Sequence, residues 1–314
     1  MKLVKTAMGP GTPLTAILDA ASEIILGKEH QLQLAIACLL AKGHLLIEDV
    51  PGVGKTTLAH LLGRLLGLQY SRIQYTSDLL PADVVGVSIF DRRSESFRFH
   101  PGPIFAQLVL ADEINRATPK TQSALLEAME ERQVTVEGET RPVPEPFFVV
   151  ATQNPIHQIG TFPLPESQLD RFLMRIHLGY PAAEQERDLL AGEDRRRMLE
   201  RQRPILSVAE LLALQQRVED VTATRPIIEY CHEILLFTRR SEQFTHGLSP
   251  RAGLGLLKGA KAWAVLDNRD YVIPEDIQAV LGPCVTHRLA GNELTETTDQ
   301  DEICNLILES VPVP

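Results

Sequence analysis

The chain has 314 residues with 31 Lys and Arg against 41 Asp and Glu, a formal net charge of −10. That balance argues against coating nucleic acid through bulk charge, and 44% hydrophobic with 23% charged residues excludes a disordered or fibrous chain. The length suits one large domain or two ordinary ones.

In chain order, residues 14–41 open as a helical lead-in with Ile17, Ala20, Ala21 and Ile24 on one face and a break at Gly27. A second helix from about Glu29 to Ala41 turns Leu32, Ile36, Leu39 and Leu40 inward. The apolar strand Leu45-Leu46-Ile47 runs into a Gly/Pro turn and a helix over 56–66, an α/β unit. Val85, Val87 and Ile89 answer Phe97 and Phe99 across a polar turn at 92–96, which predicts a β-hairpin. Strands at 108–111 and 147–151 lack polar alternation, as strands covered on both faces should. Between them lie a helix over 119–132, with Thr118 as N-cap and Pro119 at its first position, and a second hairpin over 133–143 turning near Glu137-Gly138. Residues 183–203 are charged with few apolar anchors and read as a connecting helix. From Pro204 the segments are helical, at about 207–219, 226–239, 250–266, 274–281 and 302–310, and no internal repeat is visible. The expected organisation is an α/β nucleotide-binding domain over 1–182, a connector over 183–203 and a smaller all-helical domain over 204–314.

The strongest motif is Asp49-Val50-Pro51-Gly52-Val53-Gly54-Lys55-Thr56-Thr57, placed between an apolar strand and a helix. Gly52 and Gly54 let backbone N–H groups wrap phosphate oxygens, and the helix N-terminus adds partial positive charge. Lys55 is then expected on the β/γ-phosphates of ATP and Thr56 on Mg²⁺, with Asp49 standing where the general pattern has its first glycine. Asp112 and Glu113 end the next apolar strand: a carboxylate there holds Mg²⁺ through its waters, and its neighbour polarises an attacking water. Asn154, after the third strand, is placed to orient that water, although an Asn-Pro pair is also an ordinary turn. Arg251 follows Ser249, an N-cap by residue type, and Pro250, so its charge opposes a helix dipole unless an anion compensates. A γ-phosphate and a nearby Glu both suit it. Arg171, read as about a turn into a helix opened by Pro165-Glu166, suits either a neighbouring subunit's nucleotide or a surface ion pair.

Taken together, the stretches 48–56, 75–83, 102–105, 112–117, 121–131, 151–155, 169–172 and 249–252 resemble the AAA+ ATPases, and within them the MoxR family, over nearly the whole chain. Asp49 is ordinary for that family. The resemblance implies a P-loop core with a parallel sheet and inserted hairpins, followed by a helical lid. It also implies a ring-like homo-hexamer with ATP between subunits, contacted by the finger arginine of one subunit and the lid arginine of the same chain as the nucleotide. Family members act as chaperone-like machines that mature or activate protein clients, often with a partner carrying a von Willebrand factor A domain, which here has to be a separate chain.

Other features read as background. Cys38, Cys231, Cys284 and Cys304 are too far apart for a CxxC pair and sit in apolar stretches, as buried reduced thiols do. Lys2 and Lys5 precede Gly9-Pro10-Gly11 instead of an apolar core, and the longest apolar run stops at Lys42, so a cytoplasmic protein without a membrane span is expected. His30, His44, His60 and His100 do not form a metal set, and Trp263 reads as lid core. The arginines at 195–197, 201 and 203 alternate with acids and suit a solvated helix with i,i+4 ion pairs. The phenylalanines of the first hairpin suit either its own packing or a client-facing tip. Two other classes compete with a remodelling ATPase: a nucleic-acid motor, disfavoured by the charge of −10, and a nucleotide-sensing scaffold, disfavoured by the full set Glu113, Asn154 and Arg171.

Overall fold

A computed structural model describes residues 12–93, 95–154, 160–289 and 300–314. Lys2, Lys5, Gly9, Pro10, Gly11 and Pro155 lie outside the described residues. Helix α1 (Pro13–Ser22) starts where the Thr12 hydroxyl accepts from the Thr15 N–H at 3.2 Å, and it buries Ile17 and Ala21. With α2 (Glu29–Leu40) it leads into strand β1 (Leu45–Glu48) and α3 (Lys55–Leu65). Next come β2 (Tyr70–Gln74), α4 (Pro81–Val85) and a hairpin of β3 (Gly86–Asp91) and β4 (Ser96–Pro101). Strand β5 (Leu108–Asp112) leads through a 3-10 turn at Ile114–Arg116 to α5 (Pro119–Glu131) and a second hairpin, β6 (Gln133–Val136) and β7 (Glu139–Pro142). Strand β8 (Phe148–Gln153), α6 (Glu166–Leu169) and β9 (Met174–Ile176) complete the α/β part. Helices α7 (Ala183–Ala191), α8 (Arg195–Arg201), α9 (Val208–Asp220), α10 (Arg225–Arg240), α11 (Pro250–Leu266), α12 (Pro274–Val285) and α13 (Gln300–Ser310) follow.

Five parallel strands lie in the order β2-β5-β8-β1-β9. Every residue of β5 and β8 is buried, and their side chains divide between two cores. Leu108, Leu110, Phe148 and Val150 pack with α1, α2, α3 and the C-terminal helices, whereas Val109, Ala111, Val149 and Ala151 pack with α5 and Phe172. That two-sided cover explains their unbroken apolar runs. The helical lid shares the first core through Trp263, Ile277 and Ile307, and the Gln215 amide of α9 donates to the Leu39 carbonyl of α2 at 2.8 Å. All four cysteines are buried and none forms a disulfide, and no described helix is long and apolar enough to cross a membrane.

The structure departs from the sequence reading at several points. β2 is a polar edge strand in which only Ile73 is buried, and β9 is three residues long, so neither carries the apolar run that marks β5 and β8. In the first hairpin Phe97 pairs with Phe90 and Phe99 with Ser88, while Ile89 pairs with Arg98 and Val87 with His100. Val87 and Ile89 therefore face away from Phe97 and Phe99 instead of answering them, because directly paired residues share a face. Val85 belongs to α4 and not to the strand. The connector over 183–203 is two helices, broken at Gly192 and restarted where the Asp194 carboxylate caps the Arg196 N–H at 2.9 Å. Its Arg201 pairs with Glu193 at 2.8 Å, not with an i,i+4 neighbour. Finally, α12 runs past residue 281 to Val285 with Pro283 in its last turn.

Candidate active site

The loop between β1 and α3 is shaped by two glycines in the left-handed region, Gly52 at φ +89° and Gly54 at φ +98°. A Cβ at Gly52 would meet nothing within 4 Å, so the backbone conformation, and not crowding, requires glycine there. Asp49 is buried; its Oδ2 accepts from the N–H groups of Leu178 at 2.7 Å and Gly179 at 2.5 Å, and its Oδ1 from Val50 at 2.8 Å. A carboxylate here ties the start of the loop to the chain after β9, which a glycine cannot do. Lys55 opens α3 and is also buried. Its ammonium donates to the carbonyls of Asp49, Val50 (3.4 Å) and Gln153 (3.5 Å) and to Asn154 Oδ1 (3.0 Å). Burial lowers its pKa, opposed by the charges of Asp49, Asp112 and Glu113. Pro51 stands exposed in the loop, Val53 packs partly against the first core, and Thr57 lies half-buried in the first turn of α3.

The parallel register, which sets Gln74 beside Asp112 and Ala111 beside Ala151, brings the C-terminal ends of β2, β5 and β8 to this loop. Asp112 Oδ2 accepts from the Thr56 hydroxyl at 3.2 Å and from Arg72 through Nε at 3.1 Å and Nη2 at 2.6 Å. Its Oδ1 accepts from the Thr152 hydroxyl at 2.7 Å. Glu113 follows in the left-handed region, at φ +56°, with its N–H donating to Thr152 Oγ1 at 2.9 Å. A non-glycine residue there is strained, a feature that clusters at functional sites. Arg116 pairs with Glu113 Oε2 at 2.8 Å. The buried Asn154 amide joins the two halves of the site: Nδ2 donates to Glu113 Oε1 at 3.2 Å while Oδ1 accepts from Lys55. Asn115 holds the Asn154 carbonyl at 3.1 Å.

Lys55, Thr56, Asp112, Glu113 and Asn154 are thus brought together as the sequence leads one to expect. Arg72, Thr152, Asn115 and Arg116 escaped the sequence reading. Arg72 lies on a strand with no apolar signature, Thr152 looks like filler in a buried strand, and the last two sit in a short turn. The chemistry of the set fits a nucleotide with its metal. Loop N–H groups and a buried ammonium suit phosphate oxygens, and the Thr56 hydroxyl with the Asp112 carboxylate are hard oxygen donors of the kind magnesium takes in small number. Among the described residues no group of three or more His, Cys, Asp or Glu is placed to hold a metal by itself.

Arg171 and Arg251 lie elsewhere. Helix α6 ends at Leu169, so Arg171 sits beyond it and not inside a longer helix; its Nη1 donates to the Leu126 carbonyl at 2.5 Å. Arg251 occupies the first turn of α11, where Ser249 Oγ accepts from the Ala252 N–H at 3.1 Å and Pro250 comes first. Its guanidinium grips Glu130 in a fork, at 3.0 and 2.5 Å, with Asp170 Oδ2 at 3.7 Å. The fork raises the Arg251 pKa and lowers that of Glu130. Of the two anions that suited Arg251, the Glu is its partner in this chain. Both arginines line a cavity of about 550 Å³ together with Lys42, Arg132, Lys258 and Lys261. His44, also on its wall, precedes β1 whereas Lys55 follows it, so the length of that strand, roughly 13 Å at 3.3 Å per residue, separates the cavity from the loop. The expectation that the lid arginine serves the nucleotide of its own chain is therefore corrected: the lid docks with Arg251 at the opposite end of the sheet.

Comparison with known proteins agrees with this geometry. Residues 44–174 match the ATPase family associated with various cellular activities (AAA), and residues 236–306 match the AAA lid domain. The chain is 46% identical to the uncharacterised YeaC protein of Bacillus subtilis, covering 95% of this chain and 93% of that one. It is 40% identical to Chaperone MoxR1 of Mycobacterium tuberculosis, over 93% of this chain and 80% of that one. A crystal structure of a Cytophaga hutchinsonii protein assigned as an ATPase superposes with a TM-score of 0.87 at 35% identity, covering 96% of this chain and 95% of that one.

Proposed function

The chain belongs to the MoxR family of AAA+ ATPases, and from that premise we propose that it binds and hydrolyses ATP with Mg²⁺ to drive chaperone-like remodelling of protein clients. One observation carries the reading: the Asn154 amide links the phosphate-loop lysine to Glu113, at 3.0 and 3.2 Å, so one group senses the phosphate end and orients the acid. In this scheme Pro51 sets the turn, the N–H groups of residues 52–57 and the Lys55 ammonium hold the phosphates, and Thr56 and Asp112 hold Mg²⁺, which neutralises charge on the phosphate oxygens. Glu113 accepts the proton of the attacking water, and Asn154 keeps that carboxylate aimed.

Arg171 and Arg251 act together on the nucleotide of a neighbouring subunit, a reading supported by their shared basic cavity at the far end of the sheet from Lys55. Assembly then exchanges Glu130 for a γ-phosphate at Arg251, and a hexameric ring supplies each site with its arginines. The layout of 1–182, 183–203 and 204–314 serves that ring as nucleotide domain, connector and lid, in the cytoplasm, with a separate von Willebrand factor A domain chain as partner. A protein client is favoured over nucleic acid by the first hairpin, which exposes Val87, Ile89, Phe90 and Phe97 on a chain of net charge −10. The test is Glu113→Gln, followed by phosphate release, ATP binding and sedimentation with and without ATP and Mg²⁺. Turnover should fall by about 100-fold or more while ATP stays bound and favours a ring. Unchanged turnover removes Glu113 as the base.

A further inference from the structure

Arg288 ends the 3-10 turn Thr286–Arg288 that follows α12, and its side chain is only 6% exposed. Nearly all its donors go to one short segment. Nε donates to Asp170 Oδ1 at 2.7 Å, Nη2 to the carbonyls of Phe172 at 2.8 Å and Asp170 at 3.3 Å, and Nη1 to the carbonyls of Leu173 at 3.4 Å and Cys284. The adjacent His287 contacts the Phe172 carbonyl through Nε2 at 3.0 Å. Two consecutive lid residues therefore grip residues 170–173, the segment that carries Arg171. That segment runs between a four-residue helix and a three-residue strand, neither long enough to stiffen it. The second oxygen of Asp170 lies 3.7 Å from Arg251 Nε, so one carboxylate stands between two lid arginines and precedes Arg171 in sequence.

We propose that Arg288 is a positioning residue that fuses the lid to the Arg171 segment, so that lid movement in one subunit is delivered to the ATP site of its neighbour. The inference rests on Arg171 acting across a subunit boundary. A planar guanidinium that binds one side-chain oxygen and several carbonyls fixes the orientation of a segment in a way a point charge cannot. The lid and the finger then move as one body.

The experiment mixes subunits. Arg288→Met and Asp170→Asn each leave the phosphate loop intact and loosen the support of Arg171, Asp170→Asn also removing the charge that faces Arg251, whereas Lys55→Ala disables the loop and keeps that support. Alone, each of the first two should bind ATP with KM within about threefold of wild type and lose at least about tenfold in kcat. Mixed in equal amounts with Lys55→Ala, each should regain about a quarter of wild-type turnover, the share of interfaces that pair a sound loop with a sound finger. Arg288→Lys should behave like Arg288→Met, because charge without the fork does not fix the segment. Arg171→Ala mixed with Lys55→Ala is the reference. Recovery in that mixture but not with Arg288→Met or Asp170→Asn overturns the positioning role alone. Recovery in no mixture overturns action across the boundary, and the proposal with it.

Discussion

Replacing Asn154 by Ala removes two hydrogen bonds to charged groups, one to Glu113 at 3.2 Å and one from Lys55 at 3.0 Å. The two losses have different consequences. Lys55 keeps the carbonyls of Asp49, Val50 and Gln153, and on binding ATP it exchanges such partners for phosphate, so nucleotide affinity should stay within about threefold. Glu113 loses the donor that aims one of its oxygens. A hydrogen bond to a charged group is worth about 2 kcal/mol, and at 1.36 kcal/mol per decade its loss from the transition state lowers kcat about 30-fold. The backbone should hold, because Asn115 grips the Asn154 main-chain carbonyl and not its side chain. Steady-state phosphate release, paired with titration of a fluorescent ATP analogue, separates the two terms. A variant that loses ATP affinity while keeping kcat would show that Asn154 serves Lys55 and not Glu113, refuting the reasoning.

Two further outcomes follow from the same geometry. Arg72 is half-exposed and shares Asp112 Oδ2 with Thr56; a pair of that exposure is worth at most about 1 kcal/mol, so Arg72→Met should lower the magnesium needed for half-maximal turnover by up to about fivefold, and a higher requirement would show that Arg72 supports metal binding instead of competing with it. His44 is held at about 3 by burial, with the Arg132 charge adding to the effect, against about 6.5 when unfolded. As pH falls the unfolded chain takes up the proton first, so this group's stability is full well above 6.5 and is lost progressively toward 3; between pH 6.5 and 5 the wild type should lose about 1.6 kcal/mol more than His44→Asn in urea unfolding, and equal losses would refute the assignment.

Much of the site is readable because each part is announced by its own neighbours in sequence. Lys55 and Thr56 follow glycines that the loop needs at positive φ, and Asp112, Glu113 and Asn154 follow the two most buried strands. Arg72 is different: it reaches Asp112 only because β2 pairs with β5, and a polar edge strand does not advertise itself. The apolar content of the first hairpin was legible, but which side chains share a face depends on the register between β3 and β4, which composition does not set.

Local patterning by itself determined an α/β domain with a phosphate-loop motif followed by a smaller helical domain, since strand burial, glycine conformations and helix starts act within a few residues of one another. The positions of Arg171 and Arg251 were settled only by tertiary structure. Ser249 and Pro250 specify that Arg251 begins a helix, yet its partner Glu130 is 121 residues away. Where that helix start ends up depends on how the lid cores against α2 and how Arg288 grips residues 170–173. Those contacts come from packing and charge pairing across the whole chain, which no window of sequence contains.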